Sequence, residues 1–102
     1  PYVPVSPSYA LISRDYAKLR YVLELTTPGM VFVDDEVRFS KALTAVCGPE
    51  VVVVATRPSA RAIAFESLTK RTVTRAGAGA DVCVTQDTVA MLLFTSGWTG
   101  RP

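Results

Sequence analysis

Histidine is absent from all 102 residues, and several mechanisms go with it. No Ser-His-Asp or Cys-His pair can be built, and the usual zinc sites lose their commonest nitrogen ligand. Any chemistry has to come from backbone donors, hydroxyls, carboxylates or cations. Cysteine is scarce: Cys47 and Cys83 lie far apart in sequence, each among apolar residues. That pattern predicts two reduced core thiols in a cytoplasmic protein rather than a disulfide frame. Long hydrophobic runs are missing as well. The longest, residues 51–55 and 89–94, are too short to cross a bilayer and suit buried strands, so no membrane partner is expected. Excess charge of one sign is also lacking. Eleven basic against nine acidic residues leave a net charge of +2, and no basic stripe is interleaved with aromatics, which argues against a nucleic-acid partner. Lys70, Arg71 and Arg75 read as a solvated turn.

Apolar residues are plentiful, at 49% of the chain against 20% charged. This is the composition of a globular chain with a packed core, and its length allows one domain at most, residues 1–102. Tyr2-Val3-Pro4-Val5 alternates and carries proline, so it reads as a short strand at a sheet margin. From Ser13 a helix is predicted, capped by Ser13, with Asp15 in its first turn and an apolar stripe of Tyr16, Leu19, Val22 and Leu23. Thr26-Thr27-Pro28-Gly29 ends it. Met30-Val31-Phe32-Val33 is a continuous apolar run, expected of a strand covered on both faces.

The next helix has the clearest spacing in the chain. Phe39, Ala42, Leu43 and Val46 stand at i, i+3, i+4 and i+7, an aspartate precedes them, and Gly48-Pro49 follows. Val51-Val52-Val53-Val54 gives another buried strand. The resulting order of strand, helix, strand, helix, strand predicts an α/β fold with a mostly parallel sheet and flanking helices. A short helical turn packing through Phe65 and Leu68 is expected within residues 62–68, followed by an irregular stretch. Gln86-Asp87-Thr88-Val89-Ala90 then leads into a last buried strand ending at Met91-Leu92-Leu93-Phe94.

Three constellations invite a chemical reading and are set aside. Asp34 and Asp35 after a buried strand resemble the acidic pair of a response-regulator receiver domain. The later strand, however, runs into Ala55-Thr56 with no aspartate to accept phosphate, so the pair reads as a helix N-cap with a dipole partner. Gly77-Ala78-Gly79 lacks a preceding strand and has Val82 where a dinucleotide loop needs glycine. Ser40 and Ser67 have no base to activate them and read as surface or capping hydroxyls.

Thr95-Ser96-Gly97-Trp98-Thr99-Gly100-Arg101-Pro102 is different in kind. Its glycines let backbone N–H groups converge on one point, and Thr95, Ser96 and Thr99 add hydroxyl donors, a composition suited to cradling phosphate. It is not a Walker loop, because no lysine closes it. The run resembles the phosphate loop of AMP-forming acyl-CoA synthetases, Ser/Thr-Ser-Gly-Ser/Thr-Thr-Gly-x-Pro-Lys. Of the seven fixed positions within residues 95–102, six match, and Trp98 departs. The family's lysine would fall one residue after Pro102, so the chain is expected to be a piece of the large N-terminal domain of an adenylate-forming enzyme. Tyr2-Val3-Pro4-Val5-Ser6-Pro7 is similar to a second family segment, and Gln86-Asp87-Thr88-Val89-Ala90 to the lead-in of the loop. Ser13-Arg14-Asp15-Tyr16-Ala17-Lys18-Leu19-Arg20 and Thr27-Pro28-Gly29-Met30-Val31-Phe32 look most like feruloyl-CoA synthases.

The resemblance implies an enzyme that uses ATP and Mg2+ to turn a carboxylate, ferulate or a related hydroxycinnamate, into an acyl-adenylate and then transfers it to CoA. It implies that Thr95, Ser96, Gly97, Trp98, Thr99 and Gly100 form the nucleotide phosphate site. No catalytic residue and no metal ligand is assigned within the chain. The catalytic lysine and the adenine, acyl and magnesium sites would belong to the remainder of the protein, and the isolated segment is expected to be inactive. Two alternatives stand beside this reading: a non-catalytic α/β interaction module, and the adenylation domain of another adenylate-forming enzyme.

Overall fold

The computed structural model describes residues 3–5, 8, 10, 13–72, 74, 77, 79 and 83–94. Its elements run α1 (Ala17–Thr26), β1 (Met30–Asp35), α2 (Glu36–Val46), β2 (Val52–Arg57), β3 (Ile63–Ala64) and α3 (Phe65–Thr69). The three strands form one parallel sheet in the order β1-β2-β3. The α/β class and the parallel sheet agree with the sequence; several boundaries and burial expectations do not.

Helix α1 begins at Ala17, later than Ser13, because Tyr16 adopts a left-handed conformation (φ 53°) that an α-helix cannot continue through. Ser13 still serves the start of the helix: its Oγ accepts from the Tyr16 amide at 3.2 Å. Tyr16 is buried and its hydroxyl donates to the Ala10 carbonyl at 3.0 Å, which ties the segment before α1 to the helix. At the other end Thr27 is left-handed too (φ 38°), and its amide donates to Leu23 O at 2.7 Å. The chain turns there toward Pro28 and β1.

Helix α2 follows its predicted spacing closely. Asp35 is the N-cap, with its Oδ1 accepting from Arg38 N at 3.2 Å, so the helix-cap reading of the acidic pair holds. Ala42 and Leu43 are buried. Leu43, Cys47 and Val53 form one core cluster with Leu23, Val31, Val33 and Val46 around it, and Ala10, Tyr16 and Ala42 form a second with Leu19 and Phe39. Both long helices therefore cover the same side of the sheet.

The register identifies the other side. Met30 pairs with Val52, Phe32 with Val54, and Val54 with Ile63, and side chains alternate along a strand, so these residues share a face. Met30 is 56% and Phe32 55% exposed, and Val52 and Ile63 are exposed as well. This corrects the expectation that residues 30–33 are covered on both faces. Phe65, at the start of α3, lies on this face and is itself half exposed. Its ring meets that of Phe32 edge-on at 5.5 Å, and Val54 beneath is 1% exposed.

Strand β3 has no counterpart in the sequence reading. Parallel neighbours usually need a helical crossover, but only residues 58–62 connect β2 to β3. The chain doubles back alongside the sheet, which leaves room for a parallel strand of two residues. At the amino end, residues 3–5 are not in a strand, and Val5 N donates to Val3 O at 2.9 Å in a local turn. A strand exists only by pairing, and that stretch pairs with nothing in the three-stranded sheet. Cys47 is buried as expected, whereas Cys83 is exposed, a second correction; both are free thiols.

Candidate functional site

The proposed phosphate-loop residues Thr95, Ser96, Gly97, Trp98, Thr99 and Gly100 lie outside the described residues, with Arg101 and Pro102 after them, as do Tyr2, Ser6 and Pro7 of the second matching segment. The approach to the loop is described. Residues 85–88 form a turn, with Thr88 N donating to Thr85 O at 3.1 Å and Thr85 N to Thr88 Oγ1 at 2.8 Å. Residues 89–94 that follow are not the buried strand expected from their composition. Val89, Met91 and Leu93 are 73%, 65% and 72% exposed, and a single bridge at Leu93 is the only sheet-like feature. The reason is topological: β1, β2 and β3 make up the three-stranded sheet without this run, so most of its apolar side chains stay exposed, with only Phe94 half-buried.

The carboxyl ends of β1 and β2 carry the most structured polar groups. In open α/β sheets this is the edge on which ligands bind. Asp35 pairs with Arg57 in the sheet register, and the side chains follow. Arg57 Nε is 3.3 Å from Asp35 Oδ2, Arg57 Nη2 is 3.2 Å from Asp34 Oδ2, and Arg38 Nε is 3.6 Å from Asp35 Oδ2. The Arg57–Asp34 pair is exposed on both sides and contributes about 0–1 kcal/mol, while Asp35, its side chain 16% exposed, is the better-sheltered partner of the other two. The main effect of these contacts is to neutralise both aspartates, which leaves the pair as capping and sheet-edge groups and gives no support to a receiver-like metal site. Among the described residues, no three His, Cys, Asp or Glu side chains come together to hold a metal ion.

Glu36 is the buried charge of the molecule's described part, at 5% exposure. It is the first residue of α2, and its carboxylate faces the loop between β2 and β3. Oε1 accepts from Arg61 N at 2.7 Å and Oε2 accepts from Ser59 N. The amides of Ala60 and Ala62 lie in the same loop and also favour the ionised carboxyl. Burial by itself would raise the Glu36 pKa; the loop amides, with those of Arg61 and Ser59 donating directly, outweigh it and hold the carboxyl below its ordinary value. The side chain of Arg61 runs the other way. Its guanidinium donates to Cys47 O at 3.2 Å, to Val51 O at 3.1 Å and to Gly48 O, so a cation sits at the carboxyl end of α2, where the helix dipole favours it. The loop is thus pinned at both ends of one helix. Sequence reading missed this clasp, and the only signal for it was a glutamate following the N-cap aspartate.

An open cleft of about 310 Å³ lies at the opposite, amino edge of the strands. Arg20 and Glu24 of α1, Thr27, and Glu50 before β2 line it. Beneath α2, burial raises the Cys47 pKa, keeping it a neutral thiol. No helix among the described residues is long and apolar enough to cross a membrane. Compared with known proteins, the chain matches no protein-family model, no curated protein and no solved structure.

Proposed function

We propose that this chain is part of an ATP-dependent acid–CoA ligase of the adenylate-forming kind and carries its triphosphate-gripping loop. The observation behind this reading is the run Thr95-Ser96-Gly97-Trp98-Thr99-Gly100-Arg101-Pro102, which agrees with the synthetase phosphate motif at six of seven fixed positions. The parallel α/β sheet is compatible with it and adds no specificity. In this proposal the loop's amides and the hydroxyls of Thr95, Ser96 and Thr99 hold the β- and γ-phosphates of ATP. A carboxylate oxygen of the substrate, a hydroxycinnamate such as ferulate, attacks the α-phosphorus and pyrophosphate leaves. The thiol of CoA then displaces AMP from the acyl carbon. Positioning and charge neutralisation do most of such work, and neither requires a titrating side chain. Magnesium would neutralise the triphosphate, but no ligand for it is assigned within this chain. The setting proposed is the cytoplasm, with both cysteines reduced and the remainder of the protein supplying the other pockets.

Trp98 stands where the family has a small hydroxyl residue, and an indole offers one donor on a large apolar body. Trp98→Ser in the full-length protein is expected to tighten ATP binding about tenfold, the worth of one charge-assisted hydrogen bond. Equal affinities, measured by titration calorimetry, would count against the loop contacting phosphate.

The exposed sheet face of Met30, Phe32, Val52 and Ile63 favours a second reading, a non-catalytic α/β interaction module. Full-length protein that neither binds ATP nor forms an acyl-adenylate, from ferulate or any other acid, would turn the choice to it. Adenylate formation from an amino acid would indicate another adenylate-forming enzyme instead.

A further inference from the structure

Two backbone amides of one loop, those of Ser59 and Arg61, donate one to each carboxylate oxygen of Glu36, and the amides of Ala60 and Ala62 between and beside them add to the field that favours the ionised carboxyl. Consecutive N–H groups turned to one point form a concavity suited to an anion. Here the concavity is filled by Glu36, which is 5% exposed, while Ser59, Ala60 and Arg61 that form its outer wall are exposed. The neighbouring charges do not compete for it. Asp35 is paired with Arg38 and Arg57, and the Arg61 guanidinium is committed to the carbonyls at the far end of α2.

We propose that residues 59–62 form a built oxyanion cradle whose resident anion is the Glu36 carboxylate, so that a chain lacking this side chain binds a free small carboxylate in its place. The heavy atoms removed by Glu36→Ala are Cγ and the carboxylate, which are those of acetate. With both oxygens engaged, the cradle selects a planar two-oxygen anion over a spherical halide. The inference is independent of the nucleotide-loop reading, because none of these residues lies near positions 95–100 in sequence and none is assigned a part in adenylation.

The experiment is amide hydrogen exchange by NMR on the full chain and its Glu36→Ala variant, with acetate as the probe. In the variant the Ser59 and Arg61 amides should exchange about tenfold faster or more, while Val53 and Val54 in β2 stay protected. Acetate should restore the slow rates saturably, with half-recovery at roughly millimolar concentrations, and sodium chloride at equal ionic strength should not. Unchanged exchange in the variant, or lost protection that acetate fails to restore while β2 remains protected, overturns the proposal. If the variant does not fold, the intact chain still decides. The Glu36 side-chain carboxyl should titrate below its ordinary pKa of 4.5, with the Ser59 and Arg61 amide shifts following the same curve. Titration at or above that value, or amides that ignore it, overturns the assignment.

Discussion

Single side chains decide more here than their abundance suggests. Glu36 has a folded-state pKa below its unfolded value, so its stabilising contribution is fully present above the ordinary pKa of 4.5 and is lost as pH falls through the folded value. Unfolding followed between pH 7 and pH 3 should therefore show a loss of stability on the acid side that Glu36→Gln removes. An acid profile equally steep in the variant would place the effect in other carboxylates. The two thiols should separate just as clearly. Cys83 is exposed and Cys47 is buried with a raised pKa, so a thiol reagent at neutral pH should modify Cys83 at least about tenfold faster, with Cys47 following only on opening of the core. Similar rates would mean that the core around Cys47 is looser than its contacts indicate. Nothing in the sequence distinguished these cysteines, because both sit in apolar strings; burial depends on which string finds a partner.

Helix ends set the architecture at the level of elements. Asp35→Ala removes the α2 N-cap and one partner of Arg57, and should cost about 1 kcal/mol in denaturant unfolding; no change would make the cap ornamental. Thr27, a β-branched residue at φ 38°, holds a conformation that favours glycine. Thr27→Gly should raise stability by about 1 kcal/mol, relieving strain at the turn into β1, and a destabilised variant would show that the threonine side chain contributes more than the strain costs.

Helix α2 was legible in the sequence because its apolar spacing, N-terminal acid and Gly48-Pro49 stop all agree. Helix α1 was legible only in its middle, since a left-handed Tyr16 is invisible to propensity. Strand β3 was not legible at all: two residues carry no period, and their pairing follows from how the Glu36 clasp turns residues 58–62 back along the sheet. Residues 89–94 show the reverse error. Their composition is that of a buried strand, but a strand is made by its neighbours.

For the whole molecule, the described part is a two-layer arrangement with helices α1 and α2 on one side of a parallel sheet and an apolar face on the other. Parallel sheets are normally covered on both faces, so Met30, Phe32 and the run Val89, Met91, Leu92 and Leu93 are the surfaces on which self-association of the isolated chain should depend. Phe32→Lys should lower that association in sedimentation; an unchanged profile would direct attention to residues 89–93. The candidate phosphate site was legible as a motif over residues 95–102, beside the similar segment Tyr2-Val3-Pro4-Val5-Ser6-Pro7, whereas the buried strand expected just before it is not formed by residues 89–94.

The most direct test of the ligase reading is hydroxycinnamate-dependent exchange of radiolabelled pyrophosphate into ATP by the full-length protein. A ligase of this kind should show exchange that requires magnesium and an acid such as ferulate, drops about 10²-fold in Thr99→Val, and is absent from the isolated chain. Exchange that is undetectable with every acid offered to the folded full-length protein, or that is unaltered in Thr99→Val, would contradict that reading.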